Sequence, residues 1–579
     1  MDSAGPAFTT CPLIRKIIFA IAIFIFFGTS FSFCCQQPDF EQLAAQERWQ
    51  EIVRLAEGAP HRPAEMDYYY GLALAHLERW NQAHKALLEG SRKTPGDKRF
   101  PVELAGVDFK QKKYSEAQAH LRRALQLDSK DTYANDFMAT LYFLQGNLEA
   151  AVKYWNRVNK PQIDQARNEP ALHVNPVLLD HALAFSPASL LIYRDLLTSE
   201  SRVEGLEIFP TYHFDLQAHA DGKFDMVLRA SERNGMGSSK LEKALILLRG
   251  LPFQEIDPEY FNIEGQAINV VSQFRWDSEK QRALVSLSGP WRRNPKWRYR
   301  LSADLRNENW DVRDSFSGFA PVKATFNLRR EAGTVELTRF FGQHHSWTVG
   351  MQASHRDYRN VIAGTALQPQ LLAGGYELKQ SAQLDYELWR IPERRFTLES
   401  CASSQLARIW SGLSQSFAKL QACLDSSWFP QAQDDDLKTV WSLRTGKTFG
   451  DLPFDELTML GLERDNDLWL RAHIGTRNGR KGSAPLGRNY FLSNWETDKN
   501  VYRNGLITFK LSPFVDTGRI TDPSPALGSG KWLWDTGVQG KVSVLGVGVA
   551  VIYGKDLRSG RNAFYVALSP SASSRLPAK

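Results

Sequence analysis

At 579 residues the chain is too long for one ordinary hydrophobic core, so we expect at least two structural units. It is 43% hydrophobic and 12% aromatic, yet after the N-terminal segment no apolar run approaches the roughly 20 residues of a membrane-spanning helix, which excludes a helical membrane protein. The net charge of +7 comes from 71 basic and 64 acidic residues interspersed along the chain, so we expect no nucleic-acid partner.

The first 33 residues have the pattern of a secretory signal peptide. A basic pair precedes an apolar stretch at 17–27, and mainly small residues follow as far as Ser32. A basic region, a short apolar core and a small-residue exit are typical of a cleaved signal. We therefore expect an exported protein cleaved after Ser32, with an uncleaved anchor, or lipidation at Cys34 or Cys35, as alternatives.

A 34-residue repeat occupies 38–160. Small residues recur where the two helices of a hairpin would pack closely, and a proline closes the first full unit. The marked positions are Gly71, Ala83, Pro95, Ala117, Ala124, Ala139 and Ala151. This period is typical of the tetratricopeptide (TPR) pattern. We predict an all-α TPR solenoid at 38–160, then capping helices and a linker at 161–204. Such an array offers a concave surface to a periplasmic protein or peptide partner, or else acts as a rigid spacer.

Beyond about residue 205 the apolar period changes to two. Apolar residues alternate with polar or charged ones at 297–306, 322–329 and 378–388, which as strands would put one face in lipid and one in water. Sixteen such segments, the first near 223, predict a transmembrane antiparallel β-barrel of about 16 strands over 205–579. An extra strand at 211–220 leaves the count open, and a soluble sandwich is the alternative. The fold class is therefore α + β multidomain.

Two cysteines lie within the predicted barrel. Cys401 and Cys423 are equidistant from Gly412, so a hairpin around that glycine would place them opposite each other on neighbouring strands. An exported protein meets an oxidising compartment. We therefore predict a disulfide between Cys401 and Cys423.

The last third of the chain carries its motif-like cluster. A long loop, 446–487, contains the sequence Arg471-Ala472-His473. Strand parity directs Glu496 and Asp516 into the barrel lumen. Asp516 is the centre of a Phe-Val-Asp-Thr-Gly sequence that runs from Phe514 to Gly518.

This cluster resembles the surface-antigen (BamA-like) barrel superfamily, which includes the outer-membrane assembly insertase and the two-partner secretion transporters. In that family the sixth extracellular loop of a 16-stranded barrel enters the lumen, where its Arg-Gly-aromatic tip docks on acidic residues of two strands. The resemblance implies that loop 446–487 folds into the lumen and that Arg471 docks on Glu496 and Asp516. Two departures are Ala472-His473 at the tip, and TPR repeats where the family carries periplasmic α/β modules.

The resemblance implies an outer-membrane protein that inserts or translocates polypeptides, with its TPR domain in the periplasm for client or accessory-protein binding. The alternative is a TPR-barrel exporter of an exopolysaccharide, which would need a continuous lumen. An outer-membrane enzyme has the least support. We expect outer-membrane lipid around the barrel, no enzymatic activity, no cofactor and no metal site.

Overall fold

The computed structural model describes residues 39–236, 244, 248, 250–313, 320–362, 366–410, 414–431, 435–504, 507–544 and 547–569. The predicted signal peptide, 1–33, and its alternatives at Cys34 and Cys35 lie outside these residues. The chain divides into two compact units at His120 and Leu121. No helix among the described residues is long and apolar enough to cross a membrane.

The first unit is helical. Its helices are α1 (Phe40–Ala45), α2 (Trp49–Glu57), α3 (Ala64–His76), α4 (Trp80–Lys93) and α5 (Arg99–Lys110), and α6 (Tyr114–Leu127) spans the division of the chain. Helix α3 packs on α4, and a Cβ atom added at Gly71 would lie 2.5 Å from Cγ of Leu87. Gly90 meets Phe100 in the same way. Small residues therefore stand where neighbouring helices come closest, as the repeat pattern requires.

The second unit begins with two further helices, α7 (Thr132–Leu144) and α8 (Leu148–Trp155). Helices α4, α6 and α8 start at Trp80, Tyr114 and Leu148, at the spacing of the predicted repeat. The small marker residues are all buried: Gly71, Ala83, Ala117, Ala124, Ala139 and Ala151. Pro95 is exposed, just after the end of α4.

An α/β module follows the helices. It comprises β1 (Gln162–Glu169), α9 (Pro176–Ala182), β2 (Ser189–Leu190), α10 (Tyr193–Gly205), β3 (Thr211–Ala218) and β4 (Phe224–Ser231). The sheet order is β2-β1-β4-β3, with β1 parallel to β4 and the other pairs antiparallel. From the sequence we expect helical repeats in place of an α/β module. In this chain the helices precede such a module and do not replace it.

This module corrects two predicted boundaries. Segment 161–204 contains a strand, β1, as well as helices, and the strands predicted at 211–220 and near 223 lie in the small sheet and not in the barrel. The burial of β4 distinguishes it from a barrel strand. Residues 225–228 of β4 are buried in succession, as in a strand covered on both faces, whereas a barrel strand alternates.

The remaining strands form a closed barrel that begins at Glu255, not at the predicted 205. Its strands, together with the short strands β16–β19 of one loop, are β5 (Glu255–Ile256), β6 (Glu259–Ile263), β7 (Ile268–Trp276), β8 (Lys280–Trp291), β9 (Asn294–Arg313), β10 (Val322–Gly342), β11 (His345–Arg359), β12 (Gly375–Ile391), β13 (Phe396–Trp410), β14 (Ser414–Trp428), β15 (Leu437–Gly450), β16 (Thr458–Met459), β17 (Thr476–Arg477), β18 (Arg480–Lys481), β19 (Leu486–Gly487), β20 (Asn489–Arg503), β21 (Ile507–Thr521), β22 (Leu533–Val544), β23 (Val547–Asp556) and β24 (Asn562–Ser569). Strands β5 and β6 both pair with β7, and β9 pairs with β10.

Strand β10 differs from its prediction in two ways. The segments starting at 322 and 334 belong to one strand of 21 residues, longer than the roughly ten that a tilted strand needs to cross a bilayer. Its apolar face also changes sides: Phe326 is 1% exposed and points into the barrel, whereas Val335 is 57% exposed on the outside. The prediction that the apolar residues of 322–329 face lipid is therefore wrong.

A buried apolar cluster inside the barrel explains this reversal. Phe326 packs edge to face against Phe454, at 4.9 Å between ring centroids, and Trp310 packs against the same ring at 5.0 Å. Phe454 belongs to the loop between β15 and β20. Apolar residues near Trp310 of β9 and Phe326 of β10 therefore point into the barrel, because the loop fills the interior there.

Candidate functional site

The loop at 451–488 connects β15 to β20 and lies inside the barrel, as its contacts with inward-facing wall residues show. It starts five residues later than the predicted 446–487, since β15 extends to Gly450. The loop has its own structure, with β16 paired to β19 and β17 to β18. Lys481 of β18 also pairs with Trp310 of β9, which joins the loop backbone to the barrel wall.

Four polar residues stand in one row across the wall where the loop tip docks. Asn494, Asp516, Asp535 and Asp556 are directly opposite one another on strands β20 to β23. Like charges that face each other across strands repel and destabilise a sheet. Such a row of carboxylates therefore needs donors, and the loop supplies them.

Arg471 is the main donor to this row. Its guanidinium binds Asp516 through two bonds, Nε to Oδ2 at 2.9 Å and Nη2 to Oδ1 at 2.7 Å. Its Nη1 donates to Glu496, and its backbone N–H donates to Asp516 at 3.1 Å. The guanidinium carbon lies 3.7 Å from the ring centroid of Phe514. The structure thus brings together the residues that the resemblance implied, in a bidentate, charge-assisted arrangement.

The altered tip residues have partners of their own. The backbone N–H of Ala472 donates to Asp535 Oδ2 at 2.8 Å, and His473 Nδ1 lies 3.1 Å from the same oxygen. Both His473 and Asp535 are buried. The Ala-His pair that departs from the family pattern is therefore bound to the next carboxylate along the row.

Two glycines allow the tip to approach the wall. A Cβ atom at Gly554 would lie 2.5 Å from the carbonyl oxygen of Arg471. One at Gly518 would lie 3.2 Å from Cδ1 of Leu470. Gly518, predicted from the motif around Asp516, thus makes room for the loop residue that precedes Arg471.

Sequence reasoning missed a second anchor at Glu456, near the start of the loop. This buried carboxylate accepts from Lys379 at 2.9 Å, Lys419 at 2.6 Å and Arg330 at 3.2 Å. The neighbouring Asp455 accepts from the hydroxyl of Tyr358 at 2.8 Å. These partners come from β10, β11, β12 and β14. Glu456 and Asp455 therefore bind a different part of the wall from strands β20 to β23, which carry the acidic row.

A third anchor centres on Asp465. Arg275 of β7 donates to both of its oxygens, at 3.0 and 3.1 Å, and Arg282 of β8 donates at 2.9 Å. Lys481 of the loop binds both Asp465, at 2.8 Å, and Glu308 of β9, at 2.6 Å. The loop is therefore bound by charge to three separate parts of the wall.

The sequence carried one signal that could have found these anchors. The basic residues that bind Glu456 and Asp465 occupy the inward positions of alternating strands, where a water-filled pore could equally place them. For the basic residues on the wall strands, the acidic partners are between 37 and 190 residues away in the sequence, whereas Lys481 of the loop is 16 residues from Asp465. Only the path of the loop decides which charges meet.

The predicted cysteine pair is also present. Cys401 and Cys423 lie directly opposite each other on β13 and β14 and form a disulfide. It joins two neighbouring strands of the barrel wall.

No family model and no curated protein matches this chain. Among solved structures it is similar to BamA from Haemophilus ducreyi lacking POTRA domains 1–3, at 12% identity and a TM-score of 0.39, over 70% of this chain and 83% of that one. It is also similar to CdiB from Escherichia coli, at 13% identity and a TM-score of 0.46, over 71% and 75% of the two chains. For CdiB from Acinetobacter baumannii the identity is 11% and the TM-score 0.39, over 80% and 85%.

Proposed function

We propose that this chain is a transmembrane outer-membrane barrel of the surface-antigen type that inserts or translocates polypeptides, with a periplasmic TPR array that binds clients or accessory proteins. The observation that carries the proposal is the docking of Arg471 on Asp516 and Glu496 inside the barrel. A loop held there by charge closes the lumen in one state and can release it in another.

A membrane location is supported by the outside of the barrel. Large apolar side chains are exposed there on neighbouring strands, including Leu305, Val335, Val349, Met351, Leu384 and Leu406. Contiguous exposure of this kind on a folded protein marks an interaction with lipid or a partner. Exposed aromatic residues such as Trp389, Trp410 and Trp428 stand near strand ends, as in the aromatic girdles of membrane barrels.

The loop anchors favour a gated barrel over a polysaccharide exporter. An exporter needs a continuous lumen, whereas here Glu456, Asp465 and Arg471 hold the loop to different strands of the wall. Breaking a buried ion pair by removing one partner typically costs about 3–5 kcal/mol. A steady open pore would require all three anchors to release together.

A partner-binding array is supported by the regular helical spacing. Helix pairs that repeat at a constant interval with small residues at their contacts stack into a curved surface. Such surfaces bind peptides and proteins in extended grooves. The α/β module lies between these helices and the barrel along the chain.

The gating part of the proposal can be tested by single-channel conductance. We compare the full chain in planar bilayers with Arg471→Ala and with Arg329→Ala, whose residue is half-exposed and pairs with Glu331. We expect a closed or briefly flickering barrel for the native chain and the control, and long openings for Arg471→Ala. A native barrel with a steady pore that passes oligosaccharide would instead support the exporter.

The polypeptide part is tested in cells that depend on the chain. Replacing it with Arg471→Ala should lower the amount of polypeptide that reaches the outer membrane or the cell surface, while Arg329→Ala should not. Periplasmic accumulation of oligosaccharide with unchanged envelope proteins would contradict the proposal.

A further inference from the structure

Three side chains in the first unit converge from three consecutive helices. His84 lies on α4, Asp108 on α5 and His120 on α6. His84 Nε2 is 3.7 Å from Asp108 Oδ1, and His120 Nε2 is 3.4 Å from Asp108 Oδ2. The three donor atoms all lie within 4.8 Å of one another.

Asp108 is an unusual residue for this position. One repeat earlier and one repeat later, the equivalent residues are Leu74 and Tyr142, and both are buried. A carboxylate therefore stands where the repeat otherwise buries a large, mainly apolar side chain. Burying a charge in such a place is costly unless it is paired.

The pairing of Asp108 is incomplete. It is 1% exposed, and its buried Oδ2 atom accepts no hydrogen bond from the residues that the structure describes. The other buried carboxylate among the described residues of this unit, Asp67, has salt bridges to both Arg62 and Lys93. Around Asp108 the described salt bridges are those with the two imidazoles alone.

The histidines do not come from the repeat either. The residue equivalent to His84 in the next repeat is Gln118, and that equivalent to His120 in the previous one is Ala86. Both imidazoles are nevertheless turned with Nε2 towards the same carboxylate. The repeat architecture does not require this convergence, whereas binding a cation does.

We propose that His84, Asp108 and His120 bind a divalent transition-metal ion, with Zn²⁺ as the ligand whose chemistry fits best. Two imidazole nitrogens and one carboxylate oxygen form a familiar three-ligand zinc set, and a water molecule completes the tetrahedron. Imidazole ligands also select such ions over Ca²⁺ and Mg²⁺, which prefer oxygen.

The donor atoms lie near one another but farther apart than in a zinc-bound site. Zinc bonds of about 2.0–2.2 Å in a tetrahedron place neighbouring ligand atoms roughly 3.3 Å apart. His120 Nε2 is 3.4 Å from Asp108 Oδ2 and His84 Nε2 is 3.7 Å from Asp108 Oδ1, and one donor atom from each residue can be chosen so that all three lie within 4.8 Å of one another. Binding through one carboxylate oxygen would therefore draw the three donor atoms closer together. The imidazoles are partly exposed, at 34% for His84 and 26% for His120, so they can rotate and water can reach the ion.

An ion at this site would tie α4, α5 and α6 to one another. Because each helix supplies one ligand, the metal would join the hairpin of α3 and α4 to the hairpin of α5 and α6. The proposal is independent of the barrel's activity, since it concerns the stability of the helical array.

The test uses the full chain in detergent after removal of metal with a chelator. Bound Zn²⁺ is counted by equilibrium dialysis for the native chain, His84→Gln, His120→Gln and the exposed control His61→Gln. Within the described part of the chain, two other His and Asp clusters, around His219 and His473, can also bind zinc. The difference in bound zinc between variants is therefore the quantity that matters. We expect the native chain and the control to bind one zinc ion more than either ligand variant.

Two further measurements use the native chain and therefore test the proposal even if a variant fails to fold. Co²⁺ added to the native chain should give the intense visible band of tetrahedral coordination, which Zn²⁺ then removes. Zn²⁺ should also protect His84 and His120, but not His61, from modification by diethyl pyrocarbonate. Equal zinc counts in all folded variants, or no protection of the two histidines, would overturn the proposal.

Discussion

Arg471 binds with a geometry that a lysine cannot reproduce. Its planar fork reaches both oxygens of Asp516 while a third nitrogen contacts Glu496, and the ring of Phe514 lies against its face. A lysine offers a single compact charge on a flexible stem. Charge alone therefore does not account for the docking.

Arg471→Lys separates charge from geometry. The variant keeps a cation in the lumen but loses the bidentate bond, so we expect loop docking weaker than in the native chain and stronger than in Arg471→Ala. The measurement is heat-modifiability, the temperature at which the folded barrel loses its compact migration in detergent gels. If Arg471→Lys matched the native chain, the fork geometry would have no role.

Gly554 gives a second prediction at this scale. An added Cβ atom would collide with the carbonyl oxygen of Arg471, so Gly554→Ala should displace the loop tip at a cost of about 1–3 kcal/mol. Gly540 on the neighbouring strand is the matched control, because its Cβ atom would sit 3.6 Å from Phe509, an ordinary contact.

Trypsin cleavage within 451–488 of the folded barrel measures the effect of Gly554→Ala. Cleavage should be faster in Gly554→Ala than in the native chain and unchanged in Gly540→Ala. Equal rates in both variants would mean that the tip does not rest on β23.

The residues of the site were predictable only where the signal was local. Asp516 stands in a short motif, and strand parity pointed both it and Glu496 inward. Asp535 was missed, although it directly faces Asp516 on the next strand. The connection between β21 and β22 runs from 522 to 532, and a loop of that length does not reveal the register as the short turn between Cys401 and Cys423 does. Glu456 and Asp465 were missed because their partners lie on distant strands.

At the scale of elements, a period of two identified most wall strands but not which face is apolar. In β10 the apolar positions face inward near Phe326 and outward near Val335, because the first part packs on the loop and the second part faces outside. The pattern is similar in both parts. The surroundings that distinguish them are absent from the local sequence.

The apolar contact between loop and wall yields a third prediction. Phe454 is fully buried between Trp310 and Phe326, so Phe454→Ala should cost about 3–5 kcal/mol of loop packing. Phe449→Ala, at a 46% exposed position on β15, is the control. Hydrogen exchange of the backbone amides in 452–460 should accelerate in Phe454→Ala alone, and an unchanged rate would show that charge by itself holds this part of the loop.

At the scale of the whole molecule, the wall and the loop are complementary in charge. Strands β20 to β23 present carboxylates to Arg471 and His473, whereas β7, β8, β10, β12 and β14 present cations to Asp465 and Glu456. The loop therefore fits the lumen in one orientation. The helical repeat and the barrel could each be predicted from periodicity, but the α/β module could not, since its short strands resemble barrel strands.

Within the second unit, helix α8 is fixed to the turn between β12 and β13. Lys153 pairs with Glu393 at 2.7 Å, and Asn147 Nδ2 donates to the carbonyl of Pro392 at 2.8 Å. Lys153→Glu should place like charges together and loosen α8, by about 1 kcal/mol or less because the pair is partly exposed. Exchanging both charges, Lys153→Glu with Glu393→Lys, should restore the contact.

Hydrogen exchange of the α8 amides distinguishes these cases. We expect faster exchange in Lys153→Glu and native exchange in the double variant, because the attraction depends on opposite signs and not on which residue carries which charge. If the double variant exchanged as fast as the single one, the pair would not couple α8 to the barrel. The hydrogen bond from Asn147 to Pro392 would then be left as the contact that joins the last helical hairpin to the turn.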